Sequence, residues 1–181
     1  MKYDFIIVGS GIIGLTLAYK LKKKFNNSKI LILEKEKDSI QHGSGRNSGV
    51  IHSGIYYEPG SLRATLGVQG GRELKEYIKT KRLWIDECGK ILVPTSQNSY
   101  ENTEQLFARG IENGVVIKKL NGEQITSLEP NINNKYNVGL HVPFTSIADP
   151  KEVSKSLIED LISLGVEIQY QEAVTKIEEE G

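Results

Sequence analysis

The sequence predicts an α/β fold built on a parallel sheet, and three features near its N-terminus carry this prediction. An apolar run at residues 5–8 is followed at once by a glycine-rich turn at residues 9–14. A helical pattern comes next, and a second apolar run, at residues 30–33, ends in Glu34. Two buried strands joined through a helix are typical of a parallel β-α-β unit.

The other elements of the first half follow from hydrophobic periodicity and from the positions of glycine. We predict a strand at 2–8, a helix at 12–24, a strand at 29–34, a long loop at 39–60 and a helix at 61–81. The first helix carries Ile13, Leu17 and Leu21 on one face. The loop is rich in Gly and Ser, and a loop of this length in a compact domain is usually functional.

Shorter elements are predicted in the middle of the chain. They are a strand-like stretch at 84–94 interrupted at Gly89, a helix at 98–113, a strand at 115–120 and a helix at 122–128. Gly114 supplies a C-terminal stop for the first of these helices. The second helix must end before Pro130.

The last stretch gives the clearest helix prediction. Asp149 is a capping residue, and Pro150 stands at the first helical position. An apolar stripe at helical spacing follows, formed by Val153, Leu157, Leu161 and Leu164. Gly165 ends the helix, residues 166–170 alternate like a strand, and residues 173–177 predict another strand. A helix followed by a strand indicates that the chain returns to the parallel sheet.

The glycine turn has the spacing of a dinucleotide-binding motif, and its context of strand, turn and helix makes the motif specific. Gly9 allows the tight turn, Gly11 lets the backbone approach a pyrophosphate, and Gly14 lets the helix pack close to the sheet. The helix N-terminus, at Ile12 and Ile13, then presents free N–H groups to the phosphates.

Glu34 ends the second strand, where its carboxylate can accept hydrogen bonds from both adenosine ribose hydroxyls; the adjacent Lys35 belongs to the same candidate site. A negative charge here repels a 2′-phosphate, so NADP is disfavoured. The pattern continues from Gly14 through Ala18 and Leu21, which resembles the FAD fingerprint of glutathione-reductase-like flavoproteins. An NAD-dependent dehydrogenase is another possible reading of the glycine turn, but it would need a nicotinamide site that the sequence does not supply.

Composition restricts the classes of function. Lys plus Arg and Asp plus Glu number 23 each, so no global basic field exists to attract nucleic acid. No apolar run approaches the roughly 20 residues that a membrane helix needs, and no signal peptide is evident. Cys88 is the single cysteine, which excludes an internal disulfide framework; we expect it to be buried. No His/Asp/Glu cluster has metal-ligand spacing, and a cytoplasmic location is the default.

The loop at residues 46–62, which follows the second strand, contains polar and charged side chains that could contact a ligand. Arg46 offers a fixed charge, Asn47 and Ser48 offer side-chain donors, and Gly49 lets the backbone approach a ligand closely. His52 is the one side chain of the loop with an ordinary pKa near neutrality. We predict that it orients a substrate, moves a proton or touches the cofactor; a loop folded on itself is the alternative.

The run RNSGVIHSGIYYEPGSL at 46–62 resembles the signature loop of L-2-hydroxyglutarate oxidases and dehydrogenases, flavoproteins of the D-amino-acid-oxidase-like superfamily. The resemblance continues at 87–90, at 128–132 and at 149–150, so it covers essentially the whole chain. It implies FAD-dependent oxidation of L-2-hydroxyglutarate to 2-oxoglutarate, with hydride transfer to flavin N5. Oxygen or a membrane quinone would be the electron acceptor, which leaves open a peripheral location at the inner membrane.

The resemblance also implies roles for residues and domains. The three glycines would hold the pyrophosphate, Glu34 the ribose, and residues 46–49 would line the cofactor, with His52 near the isoalloxazine as the catalytic candidate. Arg63 and Arg72 are candidates for the substrate carboxylates by charge alone. The implied domains are an FAD-binding domain at 1–82, an inserted α+β substrate-domain segment at 83–147 and a return to the FAD-binding domain at 148–181.

Members of this family are longer, so the chain is expected to be the N-terminal half of such an enzyme. Two alternatives remain. The first is oxidation of another small hydroxy or amino acid, or of glycerol-3-phosphate, on the same scaffold. The second is a non-catalytic dinucleotide-binding fragment that needs a second chain.

Overall fold

The computed structural model describes residues 2–179 and contains two compact units. The first unit comprises the described residues through Ser48 together with those from Asp149 onward, and the second runs from Gly49 to Ala148. Residues 1, 180 and 181, which include the two ends of the predicted FAD-binding domain, lie outside the described residues. The predicted division at residue 82 differs from this boundary and stays a prediction about domains.

The helices and strands alternate along the chain. In order they are β1 (Phe5–Val8), α1 (Ile12–Lys24), β2 (Ile30–Glu34), a 3-10 turn (Gly43–Gly45), β3 (Val50–Ile51), α2 (Leu62–Thr80), β4 (Ile85–Asp86), β5 (Lys90–Leu92), α3 (Gln97–Glu101), α4 (Thr103–Glu112), β6 (Lys118–Asn121), α5 (Gly122–Leu128), β7 (Val138–Val142), β8 (Ser146–Ala148), α6 (Pro150–Ser163) and β9 (Glu167–Tyr170).

The first unit contains the predicted parallel sheet, with strand order β1-β2-β9. Both pairings are parallel, and Leu31 of the central strand lies between Ile6 and Glu167 in register. The central strand is the most buried because it has a neighbour on each side, and α1 packs against α6. The return of the chain to this sheet through α6 and β9 is therefore confirmed. Asp149 caps α6 by accepting a hydrogen bond from the Lys151 N–H at 2.7 Å, also as predicted.

The face of α1 that is buried differs from the face that carries Ile13 and Leu17. Ile13 is 80% exposed and Leu17 48% exposed, whereas Leu15 and Ala18 are fully buried. Close packing against the sheet at Gly14 decides the face, because the side of the helix that carries the small residues is the side that approaches the strands. Of the three apolar residues that share one face by helical spacing, Ile13 and Leu17 are therefore exposed and Leu21 is half-buried.

The second unit is built on two antiparallel three-stranded sheets, ordered β3-β8-β4 and β5-β7-β6. Its core is an apolar cluster formed by Ile55, Val115, Ile117, Leu140 and Val142. The central strands of both sheets, β7 and β8, were not predicted, although the α+β character of this part of the chain is confirmed.

Three further predictions were wrong. Residues 173–177 form no strand in the described part of the chain. The predicted helix at 98–113 is two helices, separated at Asn102, whose amide donates back to the Asn98 carbonyl at 2.8 Å and so competes with the helical backbone. Cys88 is exposed, because it lies between β4 and β5 rather than within a strand.

Across residues 2–179, none of the helices is both long enough and apolar enough to cross a bilayer.

Candidate functional site

The glycine turn between β1 and α1 has the backbone geometry that its sequence predicts. Gly9 has a φ of 96°, a conformation that favours glycine, and its N–H donates to the Leu33 carbonyl at 2.8 Å. A Cβ built on Gly14 would lie 2.0 Å from the Gly9 carbonyl oxygen, so only glycine allows α1 to start this close to the strand. The turn therefore requires glycine at two of its three motif positions for reasons internal to the fold.

Gly11, the third motif position, has a different environment. A Cβ at Gly11 would meet the Ser44 hydroxyl oxygen at 3.1 Å and no other atom within contact distance. The same Ser44 hydroxyl accepts a hydrogen bond from the Ile12 N–H at 3.0 Å, one of the donors left free at a helix N-terminus. The 3-10 turn that carries Ser44 thus lies directly against the start of α1, and Ile13 at the next position is exposed.

Glu34 lies at the end of β2 and is only 7% exposed. One carboxylate oxygen, Oε2, accepts hydrogen bonds from the Ser10 N–H and the Ser10 hydroxyl, both at 2.7 Å, and Oε1 accepts from the Glu36 N–H at 3.0 Å. Burial raises the pKa of Glu34, but the hydrogen bonds from the Glu36 amide and from Ser10 outweigh it, so the pKa is lowered overall. The side chain is therefore an anion held beside the glycine turn.

Lys35 and the candidates at 46–48 lie near the surface of the same unit. Lys35 follows β2, and its Nζ is 3.8 Å from Glu36 Oε1. Arg46 and Ser48 are exposed on either side of Asn47. The Asn47 amide donates to the Gly43 and Ser44 carbonyls at 3.2 and 2.8 Å, so it fixes the turn that carries Ser44.

Gly49 and His52 belong to the second unit. Gly49 has a φ of 68°, and its carbonyl accepts a hydrogen bond from the Ala148 N–H at 3.0 Å. His52 follows β3 with an exposed side chain and lines a cleft of about 100 Å³ together with Lys90 and Thr145. An exposed imidazole beside a cation and a hydroxyl can bind a small acid or exchange a proton with it.

Backbone packing holds the His52 segment in position. A Cβ built on Gly71 of α2 would lie 3.2 Å from the His52 carbonyl oxygen, so the segment runs close along the helix. The amide of Asn113, the residue that follows the last residue of α4, donates to the Gly54 and Tyr57 carbonyls at 3.1 and 2.8 Å. The loop is thus anchored on two helices while the His52 side chain stays accessible.

Sequence reasoning missed several contributors to these sites. Ser10 and Ser44 complete the glycine turn, and their only signals are their positions between glycines in Gly-Ser-Gly runs. Lys90 and Thr145 join His52 through strand pairing between distant segments, for which the local sequence carries no signal. Arg63 and Arg72 are exposed on α2, and Arg72 donates to the Gly114 carbonyl at 3.3 Å.

A parallel β-α-β unit with this glycine turn and a buried terminal acid defines a dinucleotide-binding protein. The particular family follows from comparison with known proteins. The chain belongs to the FAD dependent oxidoreductase family, which it matches over residues 4–181. The predicted cofactor class is confirmed, since the family is FAD-dependent.

The resemblance inferred from the loop at 46–62 is also confirmed by named relatives. The chain is 47% identical over 161 residues to the mitochondrial L-2-hydroxyglutarate dehydrogenase of Dictyostelium discoideum, covering 88% of this chain and 36% of that protein. It is 37% identical over 177 residues to the L-2-hydroxyglutarate dehydrogenase of Escherichia coli K12, covering 98% of this chain and 42% of that protein. The chain therefore spans well under half the length of these relatives.

Solved structures support the same fold. L-α-glycerophosphate oxidase from Mycoplasma pneumoniae, a structure with FAD bound, matches 97% of this chain and 46% of its own, with a TM-score of 0.86 and 32% identity. Glycine oxidase from Geobacillus kaustophilus matches 93% of this chain and 46% of its own, with a TM-score of 0.78 and 18% identity. The second likeness shows the fold alone.

Proposed function

We propose that this chain forms the dinucleotide-binding part of an FAD-dependent dehydrogenase that oxidises L-2-hydroxyglutarate to 2-oxoglutarate. The observation that carries the proposal is the 47% identity, over 88% of the chain, to an L-2-hydroxyglutarate dehydrogenase. The matched stretch includes most of the chain, and the geometry of the glycine turn and of Glu34 fits the cofactor that such an enzyme uses.

The fit to FAD rests on the shape and charge of the first unit. The glycine turn has open space beside Gly9, where a Cβ meets no atom within 4 Å, and the Ser44 hydroxyl that now accepts from the Ile12 N–H occupies the position of an anion oxygen at the helix N-terminus. Gly9, Gly11, Ile12, Ile13 and Gly14 would hold the pyrophosphate. Glu34 would accept the ribose hydroxyls, an arrangement suited to the anion that its hydrogen bonds maintain.

Residues beyond the turn would complete the cofactor site. Lys35 would lie at the adenosine end, and Arg46, Asn47, Ser48 and Gly49 would line the cofactor along the loop. FAD, when bound, supplies a two-electron acceptor for the hydride from C2 of the hydroxy acid. His52 is assigned as the base that accepts the hydroxyl proton of the substrate, since its imidazole is exposed at the wall of a small polar cleft.

The test is a visible absorbance titration of the 181-residue protein with FAD, followed by anaerobic addition of L-2-hydroxyglutarate. Retention of flavin after gel filtration, and bleaching by the L-isomer but not by D-2-hydroxyglutarate, is the expected result. Retained flavin that neither isomer bleaches would contradict catalysis by this chain and support the non-catalytic alternative. A folded protein that retains no flavin would contradict cofactor binding by this unit.

A second candidate substrate, glycerol-3-phosphate, is favoured by one observation. The glycerophosphate oxidase of Mycoplasma pneumoniae is similar in fold over 97% of this chain and is 32% identical. The same anaerobic assay separates the two, because a glycerol-3-phosphate oxidase would bleach with that substrate alone. Re-oxidation of the bleached protein by oxygen or by a soluble quinone identifies the electron acceptor, and a quinone would bring the protein to a membrane surface.

A further inference from the structure

Lys90 occupies a position where the strand pattern favours an apolar side chain. In the β5-β7 ladder, Lys90 pairs with Val142 and Leu92 pairs with Leu140. Cross-strand partners share one face of a sheet, and here Val142 and Leu140 are 0% and 1% exposed. The lysine therefore continues the core face of the sheet, and its charged end emerges where that face meets the loop at residues 52–57.

The ammonium of Lys90 has a partner but no counter-charge. Its Nζ donates to the Tyr56 hydroxyl at 3.1 Å and lies 4.8 Å from the centroid of the Tyr56 ring. Within residues 2–179, no carboxylate lies within salt-bridge distance of it. Lys119 shows the contrast: it also lies over a ring, that of Phe107 at 4.5 Å, but it is neutralised by Glu104 at 2.8 Å.

Two mostly buried residues with hydroxyl side chains line the same cleft. Ser53 is 5% exposed and Thr145 is 4% exposed, and both border the cleft that Lys90 and His52 line. Among the described residues, neither hydroxyl has a hydrogen-bond partner. The only fully buried side-chain polar atom without a partner in the described part of the chain is Asn134 Oδ1, so both hydroxyl oxygens are open to the cleft. Two hydroxyl groups that are free to donate into the cleft, beside a cation without a counter-charge, suit an anionic acceptor.

We propose that this cleft binds one carboxylate of the hydroxy-acid substrate, with Lys90 as its cation and Ser53 and Thr145 as its hydrogen-bond donors. The proposal rests on the proposed function and adds the residues that recognise the acid. A volume of about 100 Å³ suits one end of a small acid rather than a whole larger ligand. Because His52 lines the same cleft, a carboxylate held there lies beside the assigned base.

The test measures binding of glutarate, a dicarboxylate that has no hydroxyl group to oxidise, so the result does not depend on turnover. Calorimetric titration of the FAD-loaded protein is carried out on the native chain and on the variants Lys90→Gln, Lys90→Arg and Lys119→Gln. We expect Lys90→Gln to weaken glutarate binding at least about ten-fold, since charge-assisted hydrogen bonds are about twice as strong as neutral ones. Lys90→Arg should recover part of the affinity, and Lys119→Gln should change it by less than about two-fold.

A second measurement applies even if Lys90→Gln fails to fold. In the native protein, the side-chain 13Cε resonance of Lys90 should shift as glutarate is added, while that of Lys119 stays in place. Failure of the native protein to bind glutarate, or equal binding by folded Lys90→Gln, would overturn the proposal. So would binding of inorganic phosphate in preference to glutarate.

These outcomes are separable from failure of the proposed function. Glutarate binding that depends on Lys90, in a protein that L-2-hydroxyglutarate does not bleach, would support the carboxylate site and contradict the proposed substrate. Bleaching by L-2-hydroxyglutarate, with no loss of glutarate binding in Lys90→Gln, would support the proposed substrate and contradict the carboxylate site.

Discussion

Glu34 and Ser10 are joined by two hydrogen bonds that meet at one carboxylate oxygen, with the Ser10 N–H and the Ser10 hydroxyl each 2.7 Å from Glu34 Oε2. The bonds link the end of β2 to the second residue of the glycine turn. The acid that is expected to contact a ribose therefore also fixes the backbone that is expected to contact the pyrophosphate. The same pair of hydrogen bonds therefore holds the fold at the place where the cofactor is expected.

Substitution of Glu34 by Gln should lower both stability and FAD affinity. The amide keeps the shape but removes the charge, and its NH2 group cannot accept from Ser10 or Glu36. We expect a loss of about 1–3 kcal/mol in the free energy of unfolding, measured by urea titration at neutral pH. The FAD dissociation constant, measured by flavin fluorescence, should rise at the same time.

Glu36→Gln is the matched control for this change. Glu36 lies two residues further along and is partly exposed, and its carboxylate pairs with His42 Nε2 at 2.9 Å near the surface. Its substitution should shift unfolding by less than about 1 kcal/mol. Equal FAD affinity in Glu34→Gln and in the native protein would show that Glu34 does not contact the cofactor.

Gly14→Ala should disrupt the start of α1. The new methyl group would lie 2.0 Å from the Gly9 carbonyl oxygen and 3.3 Å from Ile7 Cγ2, and backbone atoms cannot move aside as a flexible side chain can. Overpacking of this kind costs about 1–3 kcal/mol or more, which should appear as a lower thermal midpoint and a weaker flavin complex. Gly43→Ala is the control, because a Cβ there meets nothing within 4 Å; an equal loss in both variants would rule out the steric cause.

The first unit could be predicted because its signals are local. The turn, α1 and Glu34 all lie within one β-α-β unit, and the capped helix α6 identified the return of the chain. The strands β7 and β8 could not be found in this way. The residues of β8 form a strand by pairing with Val50 and Asp86, which lie far away in sequence, and a run of three residues has no periodicity of its own.

The residues of the candidate site also fall into two groups, those that local sequence could identify and those that depend on long-range pairing. The glycines and Glu34 were identified from spacing, and Ser10 is a neighbour of those glycines. Lys90 was not identified, because its significance depends on its register with Val142 and on the approach of Tyr56. A lysine beside a cysteine and a glycine in the sequence resembles any solvated strand end until those two partners are known.

Glu87 should make stability depend on pH in acid. Its carboxylate is 2.7 Å from Lys75 Nζ and 2.7 Å from Lys79 Nζ, and the hydrogen bonds from these ammonium groups lower its pKa from 4.5 to about 2. Because the pKa is lower in the folded state, the contribution is fully present above about pH 4.5 and is lost as the pH falls towards 2.

Urea titrations between pH 5 and pH 2 check this dependence. The native protein should lose stability through this window, and Glu87→Gln should lose less, because it has no proton to take up on unfolding there. Glu76→Gln, at an exposed acid of α2, the helix that carries Lys75 and Lys79, should retain the native profile. Parallel profiles for Glu87→Gln and the native chain would contradict the pairing with Lys75 and Lys79.

His52→Asn tests the assignment of the base. The asparagine retains a polar side chain at the cleft but cannot accept the hydroxyl proton, so flavin reduction by L-2-hydroxyglutarate should slow by about 10²–10⁴-fold. FAD affinity and the thermal midpoint should remain unchanged, since the His52 side chain is exposed and the loop is held through its backbone. The measurement is anaerobic stopped-flow absorbance at the flavin band, which separates reduction from cofactor loss.

His42→Asn is the matched histidine control. His42 is exposed, lies in the first unit and contacts Glu36, so its substitution should leave the reduction rate within about two-fold of the native value. The pH profile distinguishes a base from a residue that only positions the substrate. A group that accepts the substrate proton gives a rate that rises with pH, and this rising limb should vanish in His52→Asn if His52 is the base. An unchanged limb, with a rate lowered equally at every pH, would show that His52 orients the substrate and that another group accepts the proton.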